Sequence, residues 1–145
     1  MIEDVGRGPV GVDTALFIYL IEEDSRYLPV IEPLFIAADE GACVLLTSAL
    51  TVLEVLVVPY RIGNRALAVR YEALLTRSRG IRIVELSMEL LRAAAQLRAT
   101  TRVKTPDALQ LVAALGAECA TFVTNDRRLP AIPGMRIVQV SDYVD

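Results

Sequence analysis

The chain contains no histidine and no tryptophan, one lysine (Lys104) and two cysteines, Cys43 and Cys119. Without histidine, Ser-His-Asp and Cys-His catalysis and histidine-ligated zinc are all excluded. Two cysteines are too few for a disulfide scaffold, and 145 residues suffice for one domain to bury a core without staples. Any chemistry must therefore rest on carboxylates, hydroxyls, amides, two thiols, tyrosine, arginine and a single lysine. Long apolar runs are missing too: none approaches the roughly 18 residues of a membrane span. The start, Met1-Ile2-Glu3-Asp4, is acidic where a signal peptide is basic and then apolar. These absences point to a cytoplasmic protein with no membrane attachment and buried, reduced thiols.

Apolar residues make up 54% of the chain and mean hydropathy is +0.45, which excludes disorder. That apolar excess also favours self-association, because a lone copy is expected to leave an apolar patch exposed. Charge is uneven: residues 1–40 carry nine acids and two bases, whereas residues 61–104 carry ten bases and three acids. Nine of those ten bases are arginine, the residue best suited to bidentate contact with phosphate or carboxylate. The same arginines also suit a solvated helix face, so the asymmetry alone assigns nothing.

No repeat or low-complexity linker divides the chain. Residues 1–9, with Gly6, Gly8 and Pro9, read as an irregular lead-in, and residues 10–145 as a single domain. Short apolar strands are expected at 10–12, 43–47, 81–84, 120–123 and 136–140. Helical spacing appears at 15–21, 28–41, 48–58, 61–77, 88–101 and 105–115. In this reading Ser48 caps the third helix and Pro59 ends it. Thr105 caps the last helix, with Pro106 at its first position. Strands that alternate with helices and lack polar alternation indicate an α/β three-layer domain, with a central, mostly parallel sheet of about five strands.

Four carboxylates stand out. Asp13 and Asp126 each follow the carboxyl end of a predicted strand, while Glu54 and Asp107 lie in the first turns of predicted helices. Each has an ordinary explanation: Asp13 as a helix cap, Asp107 as a first-turn acid, Asp126 in an Asx turn. Glu54 resists one. It lies in Ala49-Leu50-Thr51-Val52-Leu53-Glu54-Val55-Leu56-Val57-Val58, apolar all round and therefore expected to be buried, leaving an arginine ion pair as the bland alternative. In open α/β sheets, ligands bind beyond the carboxyl ends of the strands. Four carboxylates gathered there, with each pair about 4 Å apart, would repel by roughly 4 kcal/mol per pair at an effective dielectric of 20. Bound cations, an inserted arginine or protonation must relieve that repulsion. An all-oxygen donor set selects hard ions, Mg²⁺ or Mn²⁺.

The order of four segments resembles a PIN domain, and within that family the VapC-type ribonuclease toxins of toxin–antitoxin pairs. They are Val12-Asp13-Thr14, Thr47-Ser48-Ala49-Leu50-Thr51-Val52-Leu53-Glu54-Val55-Leu56, Thr105-Pro106-Asp107-Ala108-Leu109-Gln110-Leu111 and Phe122-Val123-Thr124-Asn125-Asp126. The resemblance spans about residues 10–140. It implies a Mg²⁺- or Mn²⁺-dependent endoribonuclease with Asp13, Glu54, Asp107 and Asp126 as its acidic quartet, and Thr14, Thr124 and Asn125 as auxiliary polar groups. Many relatives place a further acid two positions after the fourth; here Arg128 stands there. The implied chemistry is in-line hydrolysis of RNA, leaving a 5′-phosphate and a 3′-hydroxyl. Implied partners are RNA, a VapB-like antitoxin whose basic side chain enters the acidic pocket, and a second copy of the chain.

The rival reading is a PIN-like module that binds RNA or protein with little or no cleavage. A phosphoacceptor receiver domain fits poorly, because Asp13 has no acidic neighbour and Lys104 precedes a helix rather than following the last strand. A flap-type DNA nuclease needs helical insertions for which 145 residues leave no room.

Overall fold

A computed structural model describes all residues, 1–145. Five parallel strands form one sheet: β1 (Val10–Val12), β2 (Leu45–Ser48), β3 (Ile81–Val84), β4 (Thr121–Thr124) and β5 (Arg136–Gln139). Their order across the sheet is β3-β2-β1-β4-β5. The chain thus starts at the centre, steps outward to β2 and β3, then returns past β1 to build β4 and β5. The strand order reverses between β1 and β4, where Val10 pairs with Thr121 and Val12 with Val123. Such a switch point opens a crevice at the carboxyl ends of the strands.

Seven helices surround the sheet: α1 (Ile2–Val5), α2 (Thr14–Ile21), α3 (Leu28–Asp39), α4 (Leu50–Arg61), α5 (Arg65–Arg77), α6 (Met88–Thr100) and α7 (Thr105–Gly116). Side chains alternate across each strand, and two apolar clusters result. On one face Val10, Val12, Leu45 and Val123 pack with Leu16, Phe17, Ile31, Leu34, Tyr71 and Leu75 from α2, α3 and α5. On the other, Leu46 and Phe122 pack with Leu90, Ala94, Leu111 and Ala114 from α6 and α7. The fold is therefore the three-layer α/β arrangement expected from the alternation of elements. Gly11 makes the second cluster possible beside the crevice. A Cβ there would lie 2.6 Å from the Phe122 ring and 2.8 Å from Ala114 Cβ, so only glycine lets α7 approach β1 so closely.

Several local expectations are corrected. The first nine residues are not wholly irregular: Ile2–Val5 makes one helical turn that buries Val5. Ser48 is not a helix cap but the last residue of β2, its backbone N–H donating to Gln110 Oε1 at 3.1 Å. Helix α4 starts after Ala49 with no side-chain cap, and Pro59 sits inside its last turn rather than ending it. The expected helix over 61–77 begins instead at Arg65. Gly63 turns the chain at φ +70°, and Asn64 caps α5 by accepting from the Leu67 N–H at 3.0 Å. Lys104, not Thr105, occupies the cap position of α7, moving Pro106 one place into the helix. Nor is α4 buried all round: Leu53 is 60% exposed and Val58 51%. Its apolar composition records an outward apolar face as well as an inward one. Cys43 and Cys119 are buried free thiols, and burial pushes both pKa values up.

Candidate active site

The switch point places Asp13 and Asp126 side by side in the fold, since β1 and β4 are neighbours and each strand ends one or two residues earlier. Asp13 is indeed the N-cap of α2, its Oδ1 accepting the Thr14 N–H at 2.8 Å. Its Oδ2 accepts from the Thr124 hydroxyl at 2.7 Å. Thr124 in turn accepts the Asp126 N–H at 3.0 Å, so its single proton is committed to Asp13. Burial raises the Asp13 pKa; the bonds from Thr124 and Thr14 oppose the shift, and the nearby Asp126 charge adds to it.

Asp107 lies in the first turn of α7 and is half-buried. Burial raises its pKa, and repulsion from Asp13, Asp126 and Glu54 raises it further, against attraction from Arg128. Asp107 thus lies within electrostatic reach of the other three acids that the sequence singled out. Asp126 behaves oppositely. The Arg128 guanidinium, bonded to both its carboxylate oxygens at 3.0 Å, holds its pKa below the usual carboxylate range. The Arg128 N–H also donates to Asp126 Oδ1 at 2.9 Å, closing the Asx turn expected from sequence. Lys104, at the start of α7, lowers the Asp126 pKa a little more.

Glu54 reaches the site from the second turn of α4. No arginine pairs with it; instead its Oε1 accepts from the Thr14 hydroxyl at 2.8 Å. Beneath it lies a buried polar cluster that sequence reading missed. Gln110 donates through Nε2 to Thr14 Oγ1 at 3.1 Å and to Thr51 Oγ1 at 2.7 Å. Its Oε1 accepts from the Thr47 hydroxyl at 3.2 Å as well as from Ser48 N–H. The available signal was a lone amide within Ala108–Ala114, a stretch otherwise wholly apolar and buried. Asn125 serves as a brace: its Nδ2 donates to the Tyr19 hydroxyl at 3.3 Å and its Oδ1 accepts Ser141 N–H at 3.0 Å. Arg127 is turned away onto Asp142 and Ser141.

A cleft of about 340 Å³, lined by Asp13, Ala15, Tyr19, Asn125, Asp126 and Arg128, opens at this place. A larger depression of about 640 Å³ lies between α1, α3 and the C-terminal residues, away from the acids. The donor set around the cleft is entirely oxygen, which suits a hard divalent cation. As the side chains stand, no group of three or more acids or thiols is arranged to hold a metal ion. Arg128 instead supplies the positive charge that Asp126 would otherwise lack.

An open parallel sheet with interacting acids at its switch point defines a class of α/β proteins with an acidic crevice. A model of the PIN domain matches residues 10–135, and the chain belongs to that family. Solved structures that share the fold include the following three. One is of VapBC2 from Rickettsia felis bound to a promoter DNA fragment, with TM-score 0.61, 19% identity, and 95% of this chain and 99% of that one covered. Another is a toxin–antitoxin complex from Klebsiella pneumoniae, with TM-score 0.62, 19% identity, and 91% and 97% covered. The third is DNA-bound VapBC from Salmonella typhimurium, with TM-score 0.63, 20% identity, and 93% and 99% covered. No curated protein sequence matches the chain. No helix is long and apolar enough to cross a membrane.

Proposed function

We propose that this PIN domain is a Mg²⁺- or Mn²⁺-dependent endoribonuclease, the toxin of a VapBC-type toxin–antitoxin pair. One observation carries the reading: at the carboxyl end of the sheet the Asp107 pKa is raised first by burial and then by the charges of Asp13, Asp126 and Glu54, a repulsion that a bound cation would relieve. Asp13, Asp107 and Asp126 are the residues that would hold the ion, with Glu54 completing the set. A bound divalent ion supplies Lewis-acid polarisation of a phosphate and activation of the attacking water. Thr124 and the Thr14 N–H fix the Asp13 carboxylate in one orientation, so it needs no reorganisation on binding. Arg128 and Lys104, both exposed beside the acids, are placed to meet the negative RNA backbone, a contact that positions without reading sequence.

The proposed partners follow from the same surface. A basic side chain of an antitoxin would satisfy the acids as Arg128 now satisfies Asp126. A second copy would cover the exposed apolar side chains of α4, and the proposed location is the cytoplasm. The Arg128–Asp126 pair favours a second reading, a PIN module that binds RNA without cutting it. Cleavage of mixed tRNA and short single-stranded RNA by the purified protein separates the two, with Mn²⁺, with EDTA, and with Asp13→Asn. Metal-dependent products absent from Asp13→Asn support the nuclease. RNA binding without products, when calorimetry shows Mn²⁺ bound, supports the module.

A further inference from the structure

We propose that Gln110 is a positioning residue for Glu54, acting through the Thr14 hydroxyl; this rests on the reading of Glu54 as one of the metal-site carboxylates. The backbone N–H of Ser48 can only donate, so the group of Gln110 that faces it must be Oε1. Nε2 therefore faces the other way, and its two protons go to Thr14 Oγ1 and Thr51 Oγ1. Thr47 gives its proton to Gln110 Oε1, and Thr51 lies 2.7 Å from Thr47 Oγ1, which can accept. Thr14, already accepting from the amide, has one proton left and a carboxylate 2.8 Å away to receive it. Thr51 can give its proton to Thr47 or to Thr14, 2.9 Å away, and the buried Ser48 hydroxyl has no partner; the only member that donates nothing is Glu54.

Burial isolates this arrangement. Thr14, Thr47, Ser48, Thr51 and Gln110 are all at most 8% exposed, so water cannot substitute for a missing partner. The amide also ties β2, α2, α4 and α7 together at one point. Losing it would free Thr14 to turn its proton toward Thr51, 2.9 Å away, and leave Glu54 without its one hydrogen bond in the chain. Groups of this kind behind a metal-site carboxylate typically govern affinity or activity by roughly 10–100-fold.

The test is a double-substitution cycle with Gln110→Met and Thr14→Val, read by Mn²⁺ calorimetry and by RNA cleavage. Gln110→Met is expected to weaken Mn²⁺ binding and lower kcat by about tenfold or more, with KM moving little, and to have no further effect in the Thr14→Val background. Equal losses in both backgrounds would overturn the proposal and leave Gln110 a structural tie. Thr14→Ser, which keeps the hydroxyl, should retain wild-type values, and carries the test if Gln110→Met does not fold; loss in Thr14→Ser equal to that in Thr14→Val overturns it. A readout independent of metal and cleavage is the Thr14 hydroxyl proton, expected by NMR in the metal-free protein in contact with Glu54. If the wild type neither binds Mn²⁺ nor cuts RNA, the nuclease reading fails, and this proton still decides the positioning. Its disappearance in Gln110→Met supports the link, and an unchanged signal refutes it.

Discussion

Arg128 holds Asp126 with two arms of its guanidinium, Nε to Oδ1 and Nη2 to Oδ2, each at 3.0 Å. Among the proposed quartet, Asp126 is the one whose pKa is lowered, while those of Asp13 and Asp107 are raised. The chain thus carries its own cation at the edge of the acidic crevice.

Arg128→Gln removes that cation. The Asp126 pKa should rise, because the side-chain hydrogen bonds and charge of Arg128 are gone, although the residue-128 backbone N–H and Lys104 still hold it down. Mn²⁺ should bind up to about fivefold more tightly, the scale of an exposed ion pair released. Calorimetry reads the affinity; an unchanged constant would show that Arg128 does not compete for the site.

Asp107→Asn should stabilise the metal-free protein. The carboxylate accepts no hydrogen bond in the chain and is repelled by three acids, so its neutral isostere relieves strain without orphaning a donor. Once solvent screening is allowed for, a gain of roughly 1–4 °C in Tm is expected. Mn²⁺-induced stabilisation should disappear. A clear drop in metal-free Tm would instead mark Asp107 as a structural helix-start residue.

The pH dependence has a definite sign. Asp13 and Asp107 have folded pKa values above 3.8, so between that value and the raised ones the native state binds more protons than the unfolded chain. Their contribution therefore weakens metal-free stability as pH rises through this window. The Asp126–Arg128 pair works oppositely: its contribution is present above 3.8 and is lost as pH falls through the depressed pKa. Urea unfolding of wild type and Asp107→Asn between pH 4 and about 7 should show the variant's advantage growing with pH. A constant difference would contradict the crowding of the acids.

Gly11→Ala should destabilise the fold by about 1–3 kcal/mol, because the added Cβ overlaps Phe122 and Ala114 and neither element can retreat without opening the sheet. Chemical denaturation measures it. Since Gly11 is two residues from Asp13, residual activity per folded molecule tells how far the strain reaches the crevice.

Leu53→Glu combined with Val58→Glu alters only outward-facing side chains of α4, so stability should stay within roughly 0.5 kcal/mol for each. If a second copy covers this face, the wild type sediments as a dimer and the variant as a monomer. Identical sedimentation of the two would leave α4 outside any interface.

Much of the fold was legible because short apolar strands and longer apolar-periodic helices differ in period. Strand β3 (Ile81–Val84) and the rough extents of α3 and α6 follow from that contrast alone. Boundaries failed where distant residues intervened. Ser48 looked like a cap, but Gln110, 62 positions away, takes its N–H into another partnership. Pro59 looked like a terminator, but in the last turn of α4 the helix continues around it. Glu54 looked buried because its neighbours are apolar; an exposed apolar face was the other solution, and composition cannot separate the two.

The sequence by itself determined the chemical repertoire. The absence of histidine closed imidazole chemistry, and four acids at strand ends and helix starts made an all-oxygen site the leading candidate. It also determined the α/β alternation, because hydrophobic period is a local property. Tertiary structure alone decided that β1 and β4 are neighbours, which brings Asp13 to Asp126 across more than a hundred residues. It also decided that the Thr14 and Thr124 hydroxyls meet the carboxylates of Glu54 and Asp13, and that Arg128 rather than solvent balances Asp126. Strand order and these hydroxyl contacts both depend on partners far apart in the chain, and those partners meet only when the sheet closes around its centre.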